Sequence, residues 1–315
     1  MQVTRLSGHP SYELFRQLST RYDSEYGAIW CYMQPSGTPC FSPELLSEMR
    51  RLQCSIEQQA RTDHEARNAN GLRYQVLASR VPGVFNLGGD LVLFVDMIRR
   101  QDRDGLLNYA KACIDMLHPT AVSYNLPVTT ISLVQGEALG GGFEAALASN
   151  ILIAERRAQM GLPEILFNLF PGMGAYTLLA RRLDPARAEK MILSGKIYTA
   201  TELYDIGLVD ILVDDGEGEK AVYTYMKKQN RAPHGYQAVR QIRQYEQPVV
   251  YDDLMRITAL WVDTALTLGD KDLRTMERLS RSQQRLVNGA TPDLASAAQR
   301  NEPAQDFPAA SRPSM

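Results

Sequence analysis

The feature that most restricts how this chain can fold is a run of three glycines set between an apolar strand and a small-residue helix. Thr130-Ile131-Ser132-Leu133-Val134 reads as a buried strand, and it leads into Ala138-Leu139-Gly140-Gly141-Gly142-Phe143-Glu144. Consecutive glycines let a backbone N–H approach a ligand at a spacing that a Cβ would block. Gly161-Leu162-Pro163-Glu164 follows about one strand later and supplies a second carboxylate. A bare amide donor beside two glutamates, with no nucleophilic Ser or Cys in either motif, suits chemistry that moves protons next to a carbonyl.

Around these motifs, strand patterns alternate with helix patterns. Ala28 to Met33, Tyr74 to Ala78, Ile151 to Ala154 and Leu208 to Val213 read as strands. Ser42-Pro43 opens a helix with an N-cap and a first-turn proline, running through Ile56. Further helices are expected over Leu91 to Arg100, Leu106 to Leu117 (ending before Pro119), Phe143 to Ala148 and Pro185 to Leu193. Thr199-Ala200-Thr201-Glu202 is a capping box for a short helix that stops at Gly207. Parallel strands need a helix to return the chain, so the expected class is α/β. Beyond Asp214 only helices are expected, including one long segment from Leu254 to Leu286. The expected organisation is an α/β core over 1–214, a helical region over 215–287 and a tail over 288–315 with too few large apolar residues to order.

Composition excludes several classes. With 315 residues, 44% hydrophobic and 22% charged, the chain can bury a full core, and its net charge of −2 offers no basic surface for nucleic acid. Met1 to Pro10 holds no apolar core of a leader, and Leu91 to Ile98 is short and carries Asp96, so neither an export signal nor a membrane span is expected. The four cysteines form no C-x-x-C pair and the four histidines no H-E-x-x-H pattern, so no metal centre is expected and the cytoplasm is the expected location.

Phe85-Asn86-Leu87-Gly88-Gly89-Asp90, Gly140 to Glu144, Gly161 to Glu164 and Pro171-Gly172-Met173-Gly174 stand in the order and spacing of the crotonase, or enoyl-CoA hydratase/isomerase, superfamily. The resemblance covers roughly Ala28 to Val213. These motifs, with Arg256 to Ala265, look most like the bacterial diffusible-signal-factor synthases, which make cis-2-unsaturated fatty acids for quorum sensing. The resemblance implies a crotonase-like ββα superhelix with a helical C-terminal region that trimerises or covers the site. It implies dehydration of a 3-hydroxyacyl thioester on acyl carrier protein, then hydrolysis to the free acid, with neither metal nor redox cofactor. Glu144 and Glu164 divide the proton work, and the residues alone do not say which is acid and which base; Glu164 is assigned the water-activating role. By the same resemblance, Leu87 and Gly141 are expected to supply the oxyanion-hole amides, and Gly88, Gly140, Phe143, Leu162, Met173, Gly174 and Trp261 to contact substrate. A homotrimer and a regulatory contact with a sensor protein are also implied.

Three other readings compete with this one. An acyl-CoA hydratase or isomerase of fatty acid metabolism is the main alternative, although Leu91-Val92-Leu93-Phe94-Val95 is almost wholly apolar and could line an acyl tunnel or simply be a core face. Trp261 and Met255 are equally core residues or a cover over the chain. Gly140-x-Gly142-x-x-Ala145 also fits a dinucleotide fingerprint, with Glu155 as a ribose-binding acid, but that leaves the Phe85 to Asp90 loop and Glu164 without a purpose. A catalytically dead scaffold is disfavoured because both glutamates are present. Cys54, Cys113 and Ser132 have no recognisable base beside them, and Lys227-Lys228 and Arg181-Arg182 are either a solvated face or an attraction for an acidic carrier.

Overall fold

The computed structural model describes residues 14–287 apart from residue 69, so the expected tail over 288–315 and the opening segment through residue 13 lie outside the described residues. Two sheets organise the chain. β1 (Leu18–Asp23), β2 (Ala28–Met33), β3 (Tyr74–Ser79), β5 (Thr129–Val134), β7 (Ile151–Glu155) and β10 (Ile211–Val213) form a six-stranded sheet in the order β1-β2-β3-β5-β7-β10. Only the β1–β2 pairing is antiparallel. β4 (Val84–Asn86), β6 (Glu137–Leu139), β8 (Gln159–Gly161) and β9 (Ile197–Thr199) form a second sheet in the order β4-β6-β8-β9.

The sequence of elements explains how two sheets arise from one repeating unit. β3 is followed by β4 and then α2 (Leu91–Arg99) and α3 (Arg103–Ala121); β5 by β6 and α4 (Gly141–Ala148); β7 by β8 and then α5 (Ala175–Arg182) and α6 (Pro185–Ser194). Each turn therefore lays one strand in each sheet and returns through helix, a ββα superhelix. β2 and β5 are buried along their whole length, as parallel strands covered on both faces must be. One face packs on α1 (Pro43–Glu65), α3 and the small sheet, where Ile29, Leu45, Ile56, Leu117 and Phe143 share a core. The other face, with Trp30, Tyr74 and Ile131, lies against α8 (Gly218–Gln229).

After α7 (Ala200–Asp205), with its Thr199–Glu202 capping box, and β10, the chain is helical: α8, α9 (Pro233–Glu246), α10 (Tyr251–Ala265) and α11 (Asp270–Val287). The single long helix expected over Leu254 to Leu286 is instead two, broken at Leu266 to Gly269, where Thr267 and Leu268 fold back on the Thr264 and Ala265 carbonyls. α3 does not stop before Pro119. It runs to Ala121, because Val122 N–H still reaches the His118 carbonyl at 3.0 Å and the Thr130 hydroxyl takes the Thr120 carbonyl at 3.2 Å. α4 begins at Gly141, two residues before the expected start.

Candidate active site

Strand pairing in the small sheet brings the three glycine-bearing segments to one edge. β6 pairs with β8 in parallel, Leu139 opposite Gly161, so the segments leaving these strands emerge side by side, and Gly140 N–H donates to the Gly161 carbonyl at 2.8 Å. β4 pairs with β6 from the other flank and delivers Asn86 to Gly89 to the same edge. Ligand sites collect at the carboxyl ends of parallel strands for this reason.

Two glycines are required by contact. Gly140 sits at φ +50°, and a Cβ there would lie 2.4 Å from Glu164 Oε1. A Cβ on Gly142 would lie 2.0 Å from the Asn86 carbonyl oxygen, so α4 can seat against β4 only without one. Gly141, the first residue of α4, has an N–H with no backbone partner among the described residues, at the positive end of the helix dipole.

The two carboxyl groups share a cavity and differ in their partners. Glu144 is fully buried on α4, and its Oε1 accepts from the N–H groups of Met173 and Ala175, both at 2.8 Å. Burial raises its pKa from 4.5 to about 7, against those two hydrogen bonds, which favour the charged form. Glu164 sits in the turn Pro163–Phe167, and its Oε2 is sealed from solvent with no hydrogen-bond partner among the described residues. Burial, and then the charge of Glu144, push Glu164 higher, to about 8. The two backbone donors favour the charged form of Glu144 and the unpartnered oxygen favours the neutral form of Glu164, so of the two Glu164 is the group that keeps its proton more readily.

The cavity, of about 120 Å³, lies between these groups and the helices. It takes in Glu144, Glu164, Leu87, Gly88, Gly140, Gly141, Met173 and Trp261 from the expected set. Three expected residues lie elsewhere. Phe143 is wholly buried in the core, one helical step round from Glu144. Leu162 also points into the core. Gly174 faces Leu254, and its part is to turn the chain so that its neighbours Met173 and Ala175 present their N–H groups to Glu144. A further departure concerns Leu87. Its N–H donates to the Pro39 carbonyl at 2.8 Å, because residues 39–41 run beside Asn86 to Gly89, with Phe41 N–H on the Gly88 carbonyl. Of the two expected oxyanion donors, Gly141 alone is open.

Leu91 and Phe94 of α2 do line the cavity, and Phe94 packs edge-on against Trp261 at 5.1 Å and against Tyr109 at 5.0 Å. Val95 belongs to the core, Met255 packs on that core and Val92 faces solvent. Tyr109, Glu137 and the α11 residues Leu279 and Gln283, which no motif singles out, also line the cavity, as does Cys113. Glu137 is raised by burial and its Oε2 is likewise unpartnered among the described residues.

The competing sites find other employment. Glu155 is buried under Arg157 at 3.0 Å and Gln135 at 2.7 Å and is not available to a ribose. The Cys113 thiol faces the cavity but burial raises it well above neutrality, so it stays protonated. Ser132 is hydrogen-bonded to Ser149 at 2.7 Å. Arg182 holds the Ser149 carbonyl at the end of α4 and pairs with Asp210 at 3.0 Å, and Arg181 bonds Gln244. Among the described residues no group of three or more His, Cys, Asp or Glu is placed to hold a metal ion, and no helix is long and apolar enough to cross a membrane.

Comparison with known proteins places the chain in a family. The enoyl-CoA hydratase/isomerase family profile matches residues 52–252. The chain is 30% identical to the fatty acid oxidation complex subunit alpha of Idiomarina loihiensis over 60% of its own length and 26% of the relative's. It is 32% identical to the mitochondrial methylglutaconyl-CoA hydratase of Rattus norvegicus over 48% of its length and 46% of the relative's. It thus spans about a quarter and about half of these two curated relatives. The solved structure of DspI from Pseudomonas aeruginosa superposes with a TM-score of 0.61 at 24% identity, over 77% of this chain and 92% of that one, a likeness of fold. With well over half of its length matched by the family profile, the chain belongs to the enoyl-CoA hydratase/isomerase family.

Proposed function

We propose that this protein removes water from a 3-hydroxyacyl thioester held on acyl carrier protein and then hydrolyses the cis-2-enoyl product to the free acid, as a diffusible-signal-factor synthase does. The observation that carries this reading is the pair of carboxyls in one cavity with unequal support: Glu144 with two backbone donors, Glu164 with an unpartnered oxygen.

The unequal pair supplies a base and an acid together. Glu144 takes the proton from the carbon next to the thioester carbonyl, and the charge that develops on the carbonyl oxygen falls to the Gly141 N–H and the α4 dipole. The carbon–oxygen bond of the 3-hydroxyl breaks as Glu164 gives it its proton; water leaves and the carbon–carbon double bond forms. Now Glu164 is the anion and Glu144 the acid. Glu164 can therefore take a proton from water for attack on the thioester carbonyl, with the oxyanion again at Gly141. Collapse expels the carrier thiolate, which takes its proton from Glu144, and both carboxyls return to their starting states. The apolar wall of Phe94, Tyr109 and Trp261 suits a fatty chain.

Family membership favours a second reading, hydration or isomerisation of an acyl-CoA by the same residues. One assay separates them. With 3-hydroxydodecanoyl on carrier protein and on CoA, the first reading expects free cis-2-enoic acid from the carrier-linked substrate; the second expects reversible hydration of the CoA ester with the thioester intact. A homotrimer is proposed as well, supported by α9, which buries no residue while Val239, Ile242 and Tyr245 stand 61%, 56% and 78% exposed.

A further inference from the structure

The helix that lines one side of the cavity carries a predominantly basic outer face. α11 turns Leu279 and Gln283 into the cavity wall and Leu273 and Met276 into the core. It is tied across the site at three places: Asp272 to Asn168 at 3.4 Å, Glu277 to Arg99 of α2 at 2.7 Å, and Gln283 to the Leu87 carbonyl at 3.1 Å. On the opposite side stand Lys271, Arg274, Arg278 and Arg281, all exposed. At 100° per residue these four fall within about 80° of the helix circumference, diametrically across from the buried residues. None of the four has an ion-pair partner among the described residues; Arg278 bonds only the Thr275 hydroxyl. Of the acidic residues of α11, Asp272 and Glu277 are already engaged with Asn168 and Arg99, and Asp270 stands exposed in the first turn at the edge of the stripe.

We propose that this basic stripe is the docking surface for the acidic helix of a carrier protein, which places the carrier's thioester arm at the rim beside Leu279 and Gln283. The proposal rests on the carrier-linked reading above. Two features point to it: four like charges in register over three helical turns, whose complement is an acidic partner, and their position on the back of the element that lines the cavity. Lys227-Lys228 on α8 and Arg181-Arg182 on α5, the basic pairs conspicuous in the sequence, lie on elements that contribute nothing to the cavity wall.

The test is a charge reversal read with two substrates and one binding measurement. For R274E/R278E, kcat/KM on the carrier-linked 3-hydroxyacyl substrate should fall about tenfold or more, chiefly through KM, with kcat within about twofold. Turnover of the same acyl chain on CoA or on a short pantetheine analogue should change by less than about threefold. Direct titration with holo-acyl carrier protein should lose affinity in R274E/R278E and keep it in K227E/K228E, and wild-type affinity should weaken with salt. Equal carrier affinity in R274E/R278E and the wild type overturns the proposal, as does an equal loss on both thioesters. Carrier binding that needs the stripe, in an enzyme that leaves carrier-linked substrate untouched, would retain the docking surface and overturn the functional reading instead.

Discussion

Glu144 and Glu164 differ in a way that can be titrated. Turnover needs one ionised and one protonated, so kcat/KM should trace a narrow bell with limbs near the two raised values, about 7 and about 8. Glu144→Gln and Glu164→Gln should each lower kcat by about 10²–10⁴-fold while leaving the circular dichroism spectrum unchanged. Stability supplies a second readout. The folded chain holds a proton on Glu164 that the unfolded chain, with an ordinary value of 4.5, releases earlier, so the folded state loses stability as pH rises from about 4.5 towards about 8. Glu164→Gln should therefore raise Tm at pH 8 and leave it almost unchanged at pH 4.5, on the order of 1 kcal/mol or more in difference. The sequence revealed both glutamates through their glycine spacing. It was silent on where the proton sits, because that is decided by the N–H groups of Met173 and Ala175, far along the chain, and by burial.

At the scale of elements, what was legible depended on length. β2 and β7 carry apolar runs, β5 is rich in β-branched residues, and α1 has an N-cap and first-turn proline, so their patterns outweigh noise. The strands that make the site, β4, β6, β8 and β9, are three residues each, too short for any periodicity, and their existence depends on pairing with one another. In the sequence Gly269 alone marks the break between α10 and α11, so the two read as one helix. The junction of α4 with β4 is the tightest of these contacts. Gly142→Ala should cost about 1–3 kcal/mol or more in chemical denaturation, since its Cβ meets the backbone of Asn86 and no side chain can yield. Trp261→Ala, which opens the wall against Phe94, should cost about 3–5 kcal/mol and shift the preferred acyl chain towards longer or branched forms in a substrate-length series.

For the whole molecule, the α/β class is legible in strand–helix alternation and the crotonase-like superhelix in the resemblance of the motifs, whereas contacts outside a single chain leave only indirect marks. The proposed trimer rests on the exposed apolar residues of α9: if it holds, light scattering gives a trimer for the wild type, and Ile242→Glu shifts it towards monomer at micromolar concentration. The central claim concerns what the assembled cavity does to one substrate. Purified protein given 3-hydroxydodecanoyl-acyl carrier protein, with products resolved by mass spectrometry and double-bond geometry determined, should release free cis-2-dodecenoic acid and free holo-carrier. Recovery of the thioester intact, or of a trans-2-enoyl thioester alone, would contradict the account.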